Sequence, residues 1–111
     1  LKIAREACKQ SGNPWLPVFD SPVDFKEIVR SPEPGEERWM ASLCKAMPVK
    51  KFGGDANLLS IFIGPEGGWS QREEVYGKNA GLSVLSLGPH VLRVETAAVS
   101  ALAVARQALL C

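Results

Sequence analysis

The sequence predicts an α/β domain with a mostly parallel sheet flanked by helices, and two glycine-proline loops carry most of that prediction. An apolar, β-branched run at 58–63 ends in a Gly-Pro pair at 64–65, and a second apolar run at 82–87 ends in another at 88–89. A helix signal follows each loop. This alternation is typical of parallel sheets, because the crossover between parallel strands is usually a helix.

The N-terminal part of the chain contains two predicted helices and one predicted strand. Residues 1–10 place small and apolar side chains on one helical face, and Gly12 is expected to end this helix. Residues 15–19 are predicted to form a short strand between prolines. Ser21 is the predicted N-cap of a second helix that has a proline at its first position and ends near Arg30.

The middle of the chain is predicted to contain two loops and two strands. Residues 31–37 hold two prolines and three glutamates, which indicate a solvated loop. Residues 38–44 are ambiguous, and we expect a strand there. Residues 50–55 are expected to form a loop whose two lysines are solvated rather than part of an RNA patch. The run at 58–63 barely alternates between apolar and polar residues, as in a strand buried on both faces.

Two helices and a strand are expected in the C-terminal half. Ser70 and Glu73 have the spacing of a capping box, in which each side chain accepts a hydrogen bond from the other residue's amide. The helix that they begin is expected to end at Gly81, before a strand at 82–87. Residues 95–110 are predicted to form the last helix.

Beyond its first turn, the last helix is apolar on nearly all sides. Its polar positions in that part are Ser100, Arg106 and Gln107. A helix of this kind must be buried on several sides. In so small a domain, this favours a subunit interface. The predicted interface stripe consists of Ala98, Leu102, Ala105 and Leu109, extended by Val99 and Ala103.

Length and composition bound the function classes. The 111 residues are 46% hydrophobic and 23% charged, as in one ordinary globular domain. The net charge of +1 provides no global field for nucleic acid. Basic residues are scattered, with no aromatic-rich basic stripe, so we expect weak RNA binding. No apolar stretch approaches the roughly 20 residues of a membrane span.

Cysteine usage and the first residue give two further expectations. Cys8, Cys44 and Cys111 lie far apart and form no Cys-x-x-Cys pair or Cys/His cluster. We therefore expect no disulfide framework, no metal site and an intracellular compartment. The chain begins at Leu1 inside a helical pattern, so we expect it to be part of a longer protein.

The two Gly-Pro loops are candidate walls of one ligand site. Ligands of open parallel sheets bind outside the carboxyl ends of the strands, which is where both loops are expected. Glycines let a ligand approach the backbone, and the next helix start supplies amides. Since no Gly-Lys-Ser/Thr or Gly-x-Gly-x-x-Gly pattern is present, a nucleoside fits better than a phosphate. Glu66 and Glu95 either face a cationic ligand or hold the loops by accepting amides. The alternative is a tight turn with no ligand.

The two loops together form a longer paired pattern. The first segment is Ile63-Gly64-Pro65-Glu66-Gly67-Gly68, and the second is Leu87-Gly88-Pro89-His90-Val91-Leu92-Arg93-Val94-Glu95-Thr96-Ala97. The pair resembles the signature of the ribosomal small-subunit RNA uridine-N3 methyltransferase family, which belongs to the SPOUT class. Residues 6–13 are also similar to the family's helix-to-loop motif. The resemblance spans the chain, with a weak match over residues 20–57.

The resemblance implies a SPOUT-type fold with a C-terminal trefoil knot, in which the second loop and the last helix thread through an earlier loop. It implies S-adenosylmethionine as cofactor, no metal, a homodimer, and methyl transfer to N3 of a uridine in small-subunit ribosomal RNA. Residues 1–111 would be one SPOUT methyltransferase domain without the family's first strand and helix and without its PUA-type RNA-binding barrel. The implied location is the bacterial cytoplasm, or an organelle if the parent is eukaryotic, and no membrane is involved.

The resemblance also implies the cofactor-binding residues. They are Ile63, Gly64, Pro65, Glu66, Gly67, Leu87, Gly88, Val91, Leu92, Glu95, Thr96 and Ala97. Backbone groups are expected to read the adenosyl group between apolar walls. Thr96 is expected to cap the last helix, with contact to the ligand as an alternative. Trp69 is expected to pack across the first loop, and stacking on a ligand is an equal alternative.

Arg93 is the catalytic candidate that the resemblance implies. Uridine N3 carries a proton, so methylation there requires deprotonation or stabilisation of the developing negative charge. A guanidinium is a poor base but stabilises an anion well, and we assign Arg93 that role without naming a general base. The alternative is an internal ion pair with Glu95.

Three positions depart from the family pattern. The chain has Asn13 and His90 where the family has arginine, and Val94 where it has threonine. An arginine presents a fixed, charged fork that suits phosphate. These departures leave open a non-catalytic homologue that binds cofactor or RNA. A structural domain that merely dimerises through its last helix is a third alternative.

Overall fold

The computed structural model describes residues 2–42, 57–87 and 92–110, and for residues 108–110 it describes the backbone alone. Within these residues, seven elements follow one another along the chain. They are helix α1 (Lys2–Ser11), helix α2 (Phe25–Arg30), strand β1 (Glu36–Ala41), strand β2 (Leu58–Phe62), helix α3 (Gln71–Asn79), strand β3 (Ser83–Leu85) and helix α4 (Val94–Leu110).

The described strands form one parallel sheet in the order β2-β1-β3. Trp39 of the central strand β1 is paired with Ile61 of β2 on one side and with Ser83 of β3 on the other. The carboxyl ends of all three strands therefore meet at one edge of the sheet. The predicted α/β class with a parallel sheet flanked by helices is confirmed. Residues 88–91, on which the predicted knot depends, lie outside the described residues.

Helix α4 covers one face of the sheet. Trp39 and Leu85 form a buried cluster there with Ala101 and Ala105 of α4. Successive residues of a strand point to opposite faces, so the neighbour of Trp39 faces the other way. The small side chains of the alanines leave room for the indole of Trp39 between the helix and the sheet.

Helices α2 and α3 cover the opposite face. Met40, the residue after Trp39, is fully buried with Val29 of α2 and with Leu82, which follows α3. Half-buried side chains pack around this cluster, namely those of Phe25, Phe62, Trp69, Tyr76 and Ala80. The domain therefore has three layers, with the sheet between α4 and the α2–α3 pair.

A buried arginine joins the α2–α3 layer to the sheet. Arg38 of β1 is 7% exposed, and its guanidinium donates hydrogen bonds to the carbonyl oxygens of Val29 and Ala80. Both carbonyls lie in the last turn or cap of a helix, where they lack intrahelical partners. The Nε atom also lies 4.0 Å from Oε1 of Glu36. One side chain thus holds the ends of two helices.

Predicted helix signals are confirmed at both ends of helices. Gly12 follows α1 with a φ of +70°, and Gly81 follows α3 with a φ of +97°. At each end, the glycine and the next residue donate amides back to carbonyls of the last turn, which is the Schellman pattern. At the start of α3, Ser70 and Glu73 make both hydrogen bonds of the predicted capping box, over 3.2 and 2.9 Å.

Three predicted elements are wrong in whole or in part. Residues 15–19 form no strand, because flanking and internal prolines remove backbone donors, and all five residues are exposed. Helix α2 has Asp24 rather than Ser21 as its N-cap, and amides of the first turn donate to the Asp24 carbonyl. Strand β3 ends at Leu85, two residues before the end of the predicted strand.

Strand β1 begins inside the segment that was predicted to be a solvated loop. Its bounds are Glu36–Ala41, whereas the prediction was 38–44. Glu36 tolerates this position because its carboxylate accepts a hydrogen bond from the hydroxyl of Ser60 on β2 and one from the Glu33 amide. A charged residue at a strand start is therefore stabilised by one partner that is remote in the sequence, Ser60, and by one that is local, Glu33.

Helix α4 is buried on one side and exposed on the other. Ala101 and Ala105 are 1% and 3% exposed, whereas Val99 and Leu102 are 68% and 60% exposed. The prediction that Leu102 and Ala105 belong to one interface stripe is therefore wrong, because Ala105 is part of the core. The exposed apolar side of α4 centres on Val99 and Leu102.

Candidate functional site

A cavity of about 390 Å³ opens at the carboxyl edge of the sheet. Segments that follow all three strands contribute to it, together with the first turns of α3 and α4. The residues that line it are Ala41, Ser42, Ile63, Gly64, Pro65, Glu66, Gly67, Gly68, Trp69, Glu74, Leu87, Leu92, Val94 and Ala97. This is the edge at which ligands of open parallel sheets bind.

The first Gly-Pro loop makes a tight turn at the cavity. The amide of Gly68 donates to the carbonyl of Pro65 over 2.8 Å, which closes a four-residue turn. Gly68 has a φ of +80°, in the left-handed region that favours glycine. A Cβ built on Gly67 would meet no atom within 4 Å. The backbone of Gly67 is therefore open to a ligand.

Trp69 holds this loop against the sheet. Its indole Nε1 donates to the carbonyl of Ala41, the last residue of β1, over 2.8 Å. The indole ring also packs on Phe25 of α2, with ring centroids 4.9 Å apart. The predicted packing of Trp69 across the loop is confirmed, and the indole additionally forms part of the cavity wall.

Two acidic side chains are the charged groups among the described residues of the cavity wall. Glu66 lies in the first loop, and Glu74 lies in α3, where its carboxylate accepts a hydrogen bond from the hydroxyl of Ser42. The amide of Ser42 donates to the carbonyl of Leu85 over 3.0 Å, so this residue also ties β1 to the end of β3. An apolar cavity with carboxylates favours an apolar ligand that carries positive charge and disfavours phosphate.

The second Gly-Pro loop contributes through its two flanks. Leu87 lies before the loop, and Leu92, Val94 and Ala97 lie after it on the cavity wall. The carbonyl of Arg93 accepts the amide of Ala97 over 2.8 Å, which is the first helical bond of α4. The Arg93 side chain is exposed and does not line the cavity, although both of its neighbours do.

The structure brings together most of the predicted cofactor-binding residues. Those on the cavity wall are Ile63, Gly64, Pro65, Glu66, Gly67, Leu87, Leu92 and Ala97. Glu95 and Thr96 are exposed in the first turn of α4 and do not line the cavity. Thr96 lies two residues inside this helix rather than at its cap. Gly88, Val91 and His90 lie outside the described residues.

Sequence reasoning did not assign six of the wall residues to the cofactor. They are Ala41, Ser42, Gly68, Trp69, Glu74 and Val94. Ala41 ends the central strand and Ser42 follows it. The rule that ligands bind at strand carboxyl ends would have found them had the end of this strand and the strand order been known. Glu74 had no such signal, because it follows the capping box and matches an ordinary acidic first turn.

Metal-binding clusters and membrane-spanning helices are both absent from the residues that the structure describes. In that part of the chain, no three His, Cys, Asp or Glu side chains come close enough together to hold a metal ion. Across the same ranges, none of the helices combines the length and the apolar character that crossing a membrane requires.

Comparison with known proteins identifies a family. The model of the RNA methyltransferase domain family matches residues 1–106 of this chain. Two curated relatives carry the name ribosomal RNA small subunit methyltransferase E. The relative from Aquifex aeolicus is 33% identical over 99 residues, which is 89% of this chain and 42% of that protein. The relative from Synechocystis is 33% identical over 109 residues, which is 92% of this chain and 35% of that protein.

Solved structures of similar proteins share the fold. A ribosomal RNA small subunit methyltransferase E from Neisseria gonorrhoeae, bound to S-adenosyl methionine, has a TM-score of 0.86 at 27% identity, covering 96% of this chain and 45% of that one. A putative methyltransferase from Legionella pneumophila, in complex with the same cofactor, has a TM-score of 0.85 at 33% identity, covering 97% and 44%.

A third structure extends the comparison to another organism. A probable rRNA-methyltransferase from Porphyromonas gingivalis has a TM-score of 0.83 at 27% identity, covering 96% of this chain and 47% of that one. The chain spans less than half the length of each of these relatives. Since the family model matches nearly the whole sequence, the chain belongs to the RNA methyltransferase domain family.

Proposed function

We propose that this chain is the catalytic domain of an S-adenosylmethionine-dependent methyltransferase that acts on N3 of a uridine in small-subunit ribosomal RNA. The observation that carries the proposal is the cavity at the carboxyl edge of the sheet, which is lined by the first Gly-Pro loop and by residues on both flanks of the second. Family membership supports RNA methylation, and two similar structures hold S-adenosylmethionine.

The cavity suits this cofactor in size, polarity and charge. Its volume of about 390 Å³ falls within the range of small-molecule sites. Ile63, Leu87 and Leu92 offer apolar walls for an adenosyl group, and the open backbone at Gly67 offers hydrogen bonds to its polar atoms. The carboxylates of Glu66 and Glu74 complement a ligand that carries positive charge.

The chain's own contribution to the reaction would be positioning and charge stabilisation. When bound, the cofactor supplies a methyl group activated by its positively charged sulfur. The uridine N3 proton would be lost to water, and negative charge would develop on the base; the N3–carbon bond would then form as the methyl–sulfur bond breaks. Arg93, exposed at the start of α4 between two wall residues, is proposed to stabilise this charge.

The assembly is part of the proposal. We propose a homodimer through the exposed side of α4, where Val99 and Leu102 are unburied in the single chain. We also propose that residues 88–91 and α4 complete a SPOUT-type trefoil knot, and that a PUA-type barrel elsewhere in the parent protein delivers the RNA. The proposed compartment is the bacterial cytoplasm, or an organelle for a eukaryotic parent.

A non-catalytic homologue that binds cofactor or RNA is the second candidate function. One observation favours it. The side chain of Asn13 accepts a hydrogen bond from the Trp15 amide over 3.0 Å, so it serves the local backbone. An arginine in its place would have been available for phosphate.

Two measurements separate these functions. Calorimetry with S-adenosylmethionine and S-adenosylhomocysteine should give one site per chain with both ligands. Transfer of labelled methyl groups by the full-length parent is then measured on small-subunit particles from cells that lack the native enzyme. Binding with transfer supports the enzyme, and binding without transfer supports the non-catalytic homologue. No binding of either adenosyl ligand would contradict the enzyme and the cofactor-binding homologue, and would leave an RNA-binding homologue or a structural domain.

A further inference from the structure

Helix α1 carries three basic side chains on one face. Lys2, Arg5 and Lys9 are spaced by three and four residues, so they are neighbours along one side of the helix. All three are exposed. The expectation that basic residues are merely scattered is therefore wrong for this helix, and the three side chains are called the basic ridge below.

The basic ridge is not used to hold the fold together. Helix α1 contains no buried residue, and its half-buried residues Ala4 and Cys8 lie on another side. Among the described residues, no ion pair engages any of the three cations. Glu6 is the single acidic residue of α1, so the helix carries a local excess of positive charge. This charge is available to a partner.

An exposed aromatic residue, Trp15, lies beside helix α1 on the side of Cys8. The carbonyl of Trp15 lies 3.5 Å from the Sγ of Cys8, which donates to it, and Cys8 is the neighbour of Lys9 in α1. The Trp15 amide is held by Asn13, as described above, so this backbone is anchored beside the helix. The indole itself is 79% exposed. An exposed indole next to a helix that carries cations matches the stacking platforms of proteins that bind single strands.

The charge of the proposed cofactor site points to the same conclusion. The described wall of the cavity carries the carboxylates of Glu66 and Glu74, which repel phosphate groups. The whole chain has a net charge of only +1. An RNA backbone must therefore be held by a local cationic surface away from the cavity wall, and α1 supplies one.

We propose that the basic ridge of α1, together with Trp15, binds single-stranded RNA, with the cations on phosphates and the indole stacked on a base. The choice of RNA as the partner rests on the proposed function, and on the contrast between the negative cavity wall and the positive basic ridge. Electrostatic contacts of this kind weaken as the salt concentration rises. A plot of the logarithm of the association constant against the logarithm of the salt concentration has a slope of about −0.7 for each neutralised phosphate of a single strand.

The test measures binding of a labelled single-stranded oligoribonucleotide to the full chain by fluorescence anisotropy across a salt series. The ridge variant is Lys2→Gln/Arg5→Gln/Lys9→Gln, since glutamine preserves helix propensity. The matched control is Arg30→Gln/Arg72→Gln/Lys78→Gln, which removes the same charge from exposed positions elsewhere. We expect the ridge variant to lose at least tenfold in affinity and about 2 in the salt slope, and the control to lose less than threefold. Trp15→Ala should lose about tenfold with its salt slope unchanged.

Several results would overturn the proposal. Equal losses in the two triple variants would mean that RNA responds to net charge alone. An unchanged slope in the ridge variant, or no RNA binding by the unmodified chain, would also overturn it. Binding to phosphatidylserine vesicles in place of RNA would assign the ridge to a membrane surface instead. Circular dichroism checks folding, and calorimetry with S-adenosylmethionine on the same variants keeps the two proposals separate. No cofactor binding by the unmodified chain, with RNA binding intact, would refute the proposed function alone.

Discussion

The indole of Trp69 lies against Gly64 so closely that a Cβ on residue 64 would come within 2.9 Å of the Trp69 Cε2 atom. The same indole is hydrogen-bonded to Ala41 and packed on Phe25. These two contacts oppose a movement of the indole away from residue 64. Gly64 is therefore required by packing, and Trp69 sets the distance between the first Gly-Pro loop and β1.

Gly64→Ala should destabilise the domain and weaken cofactor binding, because overpacking of this kind costs about 1–3 kcal/mol. When Trp69 is also replaced by leucine, the clash is absent. Gly64→Ala should then reduce the free energy of unfolding by at least about 1 kcal/mol less than it does in the presence of Trp69. Urea unfolding of the four proteins in this cycle measures the coupling. Gly67→Ala is the control, because its Cβ meets no atom within 4 Å. Additive effects of the two substitutions would refute the contact.

Gly67→Val should abolish S-adenosylmethionine binding and leave the protein folded. Gly67 has no positive φ and no neighbour within 4 Å of its Cβ position, so the fold should accept a valine. Because Gly67 lies on the cavity wall, we expect this side chain to block the ligand. Calorimetry measures the affinity, and thermal unfolding measures the stability. Ser31→Val, at an exposed position at the end of α2, is the matched control. An unchanged affinity in the folded variant would show that the ligand does not use this loop.

Arg38→Ala should lower the free energy of unfolding by about 2–5 kcal/mol, because it leaves two helix-end carbonyls without their donor. Arg38→Lys should restore little of this stability, since one ammonium group does not reproduce the planar guanidinium that donates to both carbonyls. Arg30, which is exposed at the end of α2, provides the control. Arg30→Ala should lower the free energy of unfolding by less than about 0.5 kcal/mol. The prediction fails if denaturant unfolding gives the two alanine variants the same loss.

Two substitutions in α4 should have different effects. Ala105→Glu places a charge in the buried cluster beneath α4, so we expect it to unfold the domain. Leu102→Glu changes an exposed position, so it should leave the stability of the single chain unchanged and raise the monomer fraction. Sedimentation equilibrium measures the association state. A monomeric unmodified chain at high concentration would contradict the proposed dimer.

Arg93→Ala in the full-length parent should reduce methyl transfer more than it reduces cofactor affinity, because the side chain lies outside the cavity wall. The expected loss in turnover is about 10²–10³-fold, as for the removal of one charge-stabilising donor. Glu95→Ala, at the exposed position two residues along, is the control and tests the alternative ion pair. Equal losses in affinity and turnover would instead assign Arg93 to cofactor binding.

Residues 1–111 alone should bind the cofactor and methylate ribosomal RNA poorly, since the net charge of +1 leaves RNA affinity to one helix. Restoring the rest of the parent protein should restore transfer. The comparison uses labelled methyl transfer at matched cofactor saturation. Robust transfer by the chain alone would refute this division of labour.

The sequence by itself determined the features with local causes. The capping box at Ser70, the helix stop at Gly12 and the turn of the first Gly-Pro loop depend on a few adjacent residues, and all three are present in the structure. The alternation of apolar runs with helix signals was likewise sufficient for the α/β class. With the strand-end rule, it also located the cavity at the first loop and at the residues that flank the second.

The tertiary structure decided whatever depends on which elements become neighbours. Strand order places β1 in the middle of the sheet, and this brings Ala41 and Ser42 to the cavity and Arg38 to the ends of two helices. The rotation of α4 on the sheet makes Ala105 core and leaves Leu102 exposed, although both fit one apolar pattern. Contacts between distant residues depend on strand order, register and helix rotation, and local composition does not specify these.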